Sequence, residues 1–371
     1  MDLDFSDEQQ MLREMARGVC ADFAPLTVVR ELEDDPVGYP ADFWKQLAAL
    51  DLIGLTIPAA YGGSEMTCLE AAILYEELGR SLAPSPHFAS AVMGAGVLVT
   101  AGSQEQKQQW LPAIASGEAI LSPAWIEPHH GFGPEGVQAT ARPDGDAVVL
   151  DGTKWHVPYA SSATRLVVLA RGPEGVGLYL VDPAADGVTL EQQMTIASDT
   201  QYAVTLDGVR VAGSDRIGAS AGGWDAWAEV MRDAMVLLGA QAVGGARYAL
   251  DITVQYAKDR EQFDKPLGAF QALAHYLADA KTAVDGATLL VYEAAWARAT
   301  EQPVDRLAPM AKLFACQTFR DVTATAQQIF GGVGFTVEYD IQLYFRRAKQ
   351  LQVSWYDSRH LESLIADEVL N

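Results

Sequence analysis

A chain of 371 residues with 49% apolar and 20% charged side chains is too long for one compact core, and its composition is that of a folded multidomain protein rather than a disordered one. Its 49 acidic against 26 basic residues give a net charge of −23, which argues against nucleic acid and anionic membrane as partners because both demand clustered cations. The acidic start lacks the basic and apolar regions of a secretory leader, and no apolar run approaches a membrane span, so a cytoplasmic protein is expected. Cys20, Cys68 and Cys316 are far apart with no CxxC spacing, which speaks for reduced thiols and against a disulfide framework or a zinc site.

In chain order, Ser6-Asp7-Glu8-Gln9 forms a capping-box pattern ahead of Leu12, Met15, Ala16, Val19 and Phe23, whose three- and four-residue steps predict an amphipathic helix. Similar periods at residues 43–50, 69–82 and 104–115 predict a helical domain over residues 1–118. From Ile120 to Arg216 the texture changes to short β-rich runs at 148–150, 166–169, 178–181 and 204–206. Asp-Gly pairs at 144–145, 151–152, 186–187 and 207–208 are expected to be hairpin turns between them. No long helix interrupts the runs, so an antiparallel sheet or barrel is predicted for a middle domain at 119–222. The helical period then returns at 226–260, 269–300, 306–330 and 359–370, which predicts a four-helix-bundle domain over 223–371. The fold class is therefore α+β and multidomain: helices, a β domain, then helices.

Two long stretches carry a specific resemblance. The first is Tyr256-Ala257-Lys258-Asp259-Arg260-Glu261-Gln262-Phe263-Asp264-Lys265-Pro266-Leu267-Gly268 followed by Phe270-Gln271; the second is Gln328-Ile329-Phe330-Gly331-Gly332-Val333-Gly334-Phe335, running into Arg346-Arg347. Both resemble signatures of the acyl-CoA dehydrogenase family, and the likeness extends to Glu127-Pro128 and to Asp151-Gly152-Thr153-Lys154-Trp155. The resemblance implies FAD as cofactor, an acyl-CoA as substrate and an electron-transfer flavoprotein as electron acceptor. In the family the Arg-x-x-Phe motif of one subunit reaches a flavin held by its neighbour. That assigns Arg260 to the pyrophosphate, for which a guanidinium fork is suited. It also assigns Phe263 to the adenine side and Gln271, Gln328, Gly331 and Gly332 to further cofactor contacts.

The chain departs from the family pattern around the flavin ring. The hydroxyl expected before Glu-Pro is replaced by Ile126, and the Trp-x-Thr motif reads Trp155-His156-Val157. The loop that follows Glu-Pro is His129-His130-Gly131-Phe132-Gly133-Pro134, a solvated loop rather than a metal site. Where one branch of the family carries its catalytic Glu, this chain has Trp355; where another branch carries it, the position is Ala234, with Asp233 beside it. Asp233 is either the base or a helix charge next to Arg232. Asp357 reads as an N-cap for the last helix. Retained phosphate-side residues with a degraded ring side resemble the non-base-bearing subunit of the heteromeric α2β2 acyl-CoA dehydrogenases of bacterial sterol and bile-acid side-chain degradation. Two alternatives stay open: a homotetramer using Asp233, and a flavin-free scaffold on the same fold.

Overall fold

Capping boxes start three of the N-terminal helices. In the computed structural model, which describes residues 4–219 and 222–370, Ser6 Oγ accepts from the Gln9 N–H and Gln9 Oε1 accepts from the Ser6 N–H, opening α1 (Asp7–Phe23) as expected. After α2 (Leu26–Glu31) and α3 (Ala41–Ala49), Thr67 and Glu70 cap α4 (Cys68–Ser81) in the same way. Residues Phe88–Gly94 wind as a π-helix into α5 (Ala95–Ala101), and Ser103 with Gln106 opens α6 (Gln104–Ala115).

The sheet follows: β1 (Leu121–Ala124), β2 (Thr140–Asp144), β3 (Ala147–Pro158), β4 (Arg165–Gly172), β5 (Gly175–Val181), β6 (Val188–Gln193), β7 (Gln201–Ala212) and β8 (Arg216–Ile217). They lie in the order β6-β7-β3-β2-β4-β5-β8, with β1 beside β4. Leu150, Val157, Leu166, Val168, Val204, Leu206 and Val209 form its buried core. Most pairings are antiparallel, but β1 runs parallel to β4 and β2 touches β4 in parallel at one position, so the sheet is mixed.

Of the four Asp-Gly pairs, one makes the expected hairpin turn. Asp144-Gly145 joins β2 to β3 as a hairpin, whereas Asp186-Gly187 leads from β5 into β6, which are not neighbours. Asp151-Gly152 and Asp207-Gly208 lie inside β3 and β7. There the Gly208 N–H donates to Asp151 Oδ1 at 2.8 Å, and the register slips between Leu150 and Gly152. With φ of 149° and 65°, Gly152 and Gly208 let two paired strands bend together, a bulge where the pattern suggested two turns.

The remaining elements are α7 (Gly223–Asp259), the short strands β9 (Glu261–Gln262) and β10 (Lys265–Pro266), α8 (Gln271–Ala299), α9 (Leu307–Phe330), α10 (Ile341–Val353) and α11 (Ser358–Leu370). Helices, a β domain and helices thus succeed one another along the chain, as expected. Among the described residues no helix is long and apolar enough to cross a membrane.

In space the chain forms two compact units, Met1–Val29 with Thr67–Ala83 and Met235–Asn371, and Arg30–Met66 with Pro84–Ala234. In the first, α4 crosses α7 in backbone contact. A Cβ at Gly79 would lie 1.9 Å from Gln241 O, and one at Gly244 would lie 1.8 Å from Glu76 O. The crossing buries Glu76 and Glu77. Arg13 bonds both, at 3.1 and 3.2 Å, Arg17 bonds Glu77 at 2.7 Å, Arg247 bonds Glu76 at 2.8 Å, and the Tyr292 hydroxyl donates to Glu76 at 2.6 Å. Buried carboxylates are tolerated only when so compensated.

Candidate functional site

The residues assigned to the cofactor's phosphate side lie in the first unit. Arg260 directly follows helix α7; its N–H donates to Tyr256 O at 2.8 Å and its carbonyl accepts from the Leu267 N–H at 2.8 Å, closing a loop around the β9–β10 hairpin. The two residues at its tip, Phe263 and Asp264, have φ of 54° and 61°. Two left-handed residues are what a tight hairpin requires, yet Asn-Gly is the usual occupant and a Phe there is strained. Phe263 is 86% exposed, its ring edge-on to Phe270 at 6.2 Å. An aromatic held strained in solvent contributes little to this chain's own core.

Gln271, the first residue of α8, is exposed, and so are Gln328, Gly331 and Gly332 at the end of α9. Gly331 adopts φ 65°, ψ −143°, a conformation open to glycine alone, and a Cβ at Gly331 or Gly332 would meet nothing within 4 Å. Tyr256 stacks on Phe330 at 4.2 Å, and Tyr339 stands edge-on to both. This aromatic cluster ties the end of α7 to the end of α9, so Arg260 and the Gly331–Gly332 segment are held by the same packing.

The segment around Trp355 has an unusual backbone. Trp355 and Tyr356 have φ of 57° and 84°. Fully buried Lys312 on α9 donates to the carbonyls of Leu351 (3.2 Å) and Tyr356 (2.8 Å), and burial pulls its pKa down. Asp357 Oδ1 accepts from the His360 N–H at 2.9 Å, the N-cap role expected of it. Asp233 is half-buried on α7. Its neighbour Arg232 pairs with Glu229 at 2.6 Å.

The ring-side residues lie in the second unit. Here the backbone donors are already engaged: Trp155 N–H bonds Ile126 O at 2.9 Å, and His156 N–H bonds Gln193 Oε1 at 2.8 Å. His156 Nδ1 also lies 2.8 Å from Gln201 Oε1. Beside Ile126, Trp125 packs on Trp227 (5.2 Å) and Phe132 (6.0 Å), which fills this flank with aromatic rings. His129 and His130 are exposed, and among the described residues no three metal-ligating side chains converge. Within β3, Lys154 Nζ bonds Glu127 Oε1 at 2.6 Å with both side chains buried, and Glu127 accepts the Gln138 and Ala139 N–H groups as well. Both residues stand in the motifs that carry the resemblance, but their pairing, like the Glu76 and Lys312 networks, joins residues remote in sequence and had no local signal.

Tested against FAD, the residues divide. Exposed Arg260, open Gly331–Gly332 and displayed Phe263 fit the phosphate and adenine portion. At the ring portion the hydroxyls are missing and the backbone N–H groups of Trp155 and His156 are engaged within the chain, so a flavin ring does not fit there.

Comparison with known proteins matches residues 6–118 to the acyl-CoA dehydrogenase N-terminal domain and 221–354 to the acyl-CoA dehydrogenase C-terminal domain. The probable acyl-CoA dehydrogenase YngJ of Bacillus subtilis is 31% identical over the full length of both chains. Among solved structures, a variant of the Tcur3481-Tcur3483 steroid ACAD is 33% identical, with a TM-score of 0.88 over 98% of this chain and 99% of that one. The ChsE4-ChsE5 complex from Mycobacterium tuberculosis is 27% identical, with a TM-score of 0.91 over 100% of this chain and 99% of that one. The chain belongs to the acyl-CoA dehydrogenase family of FAD-dependent oxidoreductases that act on CH–CH bonds.

Proposed function

We propose that this chain is the non-base-bearing subunit of a heteromeric α2β2 acyl-CoA dehydrogenase. It contributes Arg260, Phe263, Gln271, Gln328, Gly331 and Gly332 to a flavin whose ring and catalytic base are supplied by a partner subunit. The assembly desaturates the α,β-bond of an acyl-CoA thioester, a steroid side-chain CoA ester, and passes electrons to an electron-transfer flavoprotein. The observation that carries this reading is the contrast between the two halves of the cofactor site. The phosphate-side residues are exposed and built to receive a ligand, while ring-side donors are engaged within the chain and Trp355 stands where a Glu is expected. The likeness to two structures whose names pair two proteins, one of them a steroid ACAD, supports it.

The test is co-expression with a candidate partner and measurement of bound flavin. Arg260→Ala removes a charge-assisted contact of roughly 1.5–3 kcal/mol, so FAD affinity should fall about tenfold to a hundredfold. Arg260→Lys should recover part of it, since a point charge cannot reproduce the fork. A chain that purifies alone with one FAD per subunit, oxidises an acyl-CoA, and loses that activity on Asp233→Asn would overturn the proposal in favour of a homomeric enzyme.

A further inference from the structure

Gln327 sits one residue before the cofactor-assigned Gln328, but it faces inward. It is 5% exposed, and both atoms of its amide, Nε2 and Oε1, are buried without a hydrogen-bond partner. The surrounding positions on α9, Thr323, Ala326, Ile329 and Phe330, are buried too, so a Leu or Met would serve packing alone and spare the desolvation of an amide. The amide lies directly under the turn Gly331–Phe335: a Cβ added at Gly334 would stand 2.5 Å from Gln327 Oε1. That turn is a 3₁₀ segment rich in glycine, with open space around Gly331 and Gly332.

We propose that Gln327 is a positioning residue for the cofactor segment: its buried amide is satisfied when the Gly331–Phe335 turn takes the shape that receives the cofactor. The physical basis is hydrogen-bond exchange. The Gly331 N–H donates to the backbone carbonyl of Gln327, and later N–H groups of the turn are engaged by carbonyls three residues back. When N–H groups of this segment turn outward to phosphate oxygens, the carbonyls they leave need a new donor, and any N–H group turned inward needs a new acceptor. Gln327 supplies both from one side chain. The orphaned amide thus destabilises the empty shape and stabilises the loaded one, which pre-organises the segment for its ligand.

The inference rests on the shared-flavin reading, and the experiment separates the two. Gln327→Met and Gln327→Leu are made in the full chain, with Arg260→Ala in parallel. FAD affinity is measured by flavin release from the complex with the partner subunit, and the melting temperature is measured without FAD. The expected result is opposite signs: about tenfold weaker FAD binding in the Gln327 variants together with an unchanged or raised melting temperature in the absence of FAD. Lowered stability without FAD accompanied by lowered affinity would make Gln327 a packing residue and overturn the inference. So would FAD affinity within twofold of the parent while Arg260→Ala still loses flavin. If Arg260→Ala also keeps its flavin, the shared-flavin reading falls and this one with it.

Discussion

Replacing Glu127 with Gln isolates the most deeply buried ion pair of the β domain. The change is nearly isosteric and keeps an oxygen for the Gln138 and Ala139 N–H groups, but it strips the charge facing Lys154 Nζ at 2.6 Å. Lys154 is 0% exposed, and its further contact is a 3.4 Å bond to Trp125 O, so a cation is left buried and uncompensated. Removing one partner of such a pair costs about 3–5 kcal/mol. For a compact unit of about 190 residues, with an unfolding entropy of ~0.4 kcal/mol/K, this is a drop of roughly 8–12 °C in Tm.

The pH dependence gives a second check on the same substitution. Burial lowers the Lys154 pKa from 10.5 to about 8, with Glu127 opposing the shift by its charge and its hydrogen bond. Below about 8 the folded chain carries the buried cation. Between about 8 and 10.5 the unfolded chain binds the proton that the folded chain has released, so this group's penalty fades as pH rises. The loss caused by Glu127→Gln should therefore be largest near pH 7 and smaller near pH 9.5, where wild-type Lys154 is mostly neutral and the ion pair is already gone. Thermal melts followed by tryptophan emission, from the buried Trp125 and Trp227, measure both. A drop of less than about 3 °C at pH 7, or an equal drop at both pH values, would refute the reasoning.

Other outcomes follow from the same packing. Gly244→Ala places a methyl 1.8 Å from Glu76 O at the α4–α7 crossing, where backbone must move; it should destabilise by about 3 kcal/mol or more, or abolish soluble expression. Glu76→Gln should lose about 3 kcal/mol in a denaturant titration, because Arg13, Arg247 and the Tyr292 hydroxyl converge on that carboxylate. Fully buried His87 contacts Leu52 O at 3.0 Å, and burial lowers its pKa to about 4. Its contribution is complete above pH 6.5 and lost as pH falls toward 4, roughly 3 kcal/mol in all; His87→Gln should flatten the acid limb of a stability–pH curve. Lys312→Met removes the donor to the Leu351 and Tyr356 carbonyls, and should raise protease sensitivity around residues 353–357 with a loss of about 2 kcal/mol.

Much of this protein can be read from residues that are neighbours along the chain. The Ser6-to-Gln9 box, the helical periods and the N-cap at Asp357 act within one turn of helix, and the structure forms each where the pattern lies. The contiguous stretch from Tyr256 to Gly268 points to Arg260 and Phe263 as candidate cofactor residues, and the same continuity exposes the departures at Ile126, Val157 and Trp355.

Only the tertiary structure decided what distant residues do together. An Asp-Gly pair makes a turn or a bulge according to which strand lies opposite, and that is why Asp151-Gly152 and Asp207-Gly208 bend two strands instead of ending them. Glu76, Glu77, Glu127, Lys154 and Lys312 read as ordinary charged residues in sequence, yet all are buried, each tolerated because a partner tens of residues or more away supplies the compensating charge or hydrogen bond. Gln327 and Gln328 are adjacent and chemically identical, but the helix turns one into the core and the other to the surface. Local hydrogen bonds are encoded by spacing, whereas the fate of a charge or an amide depends on the dielectric and the partners that packing brings to it.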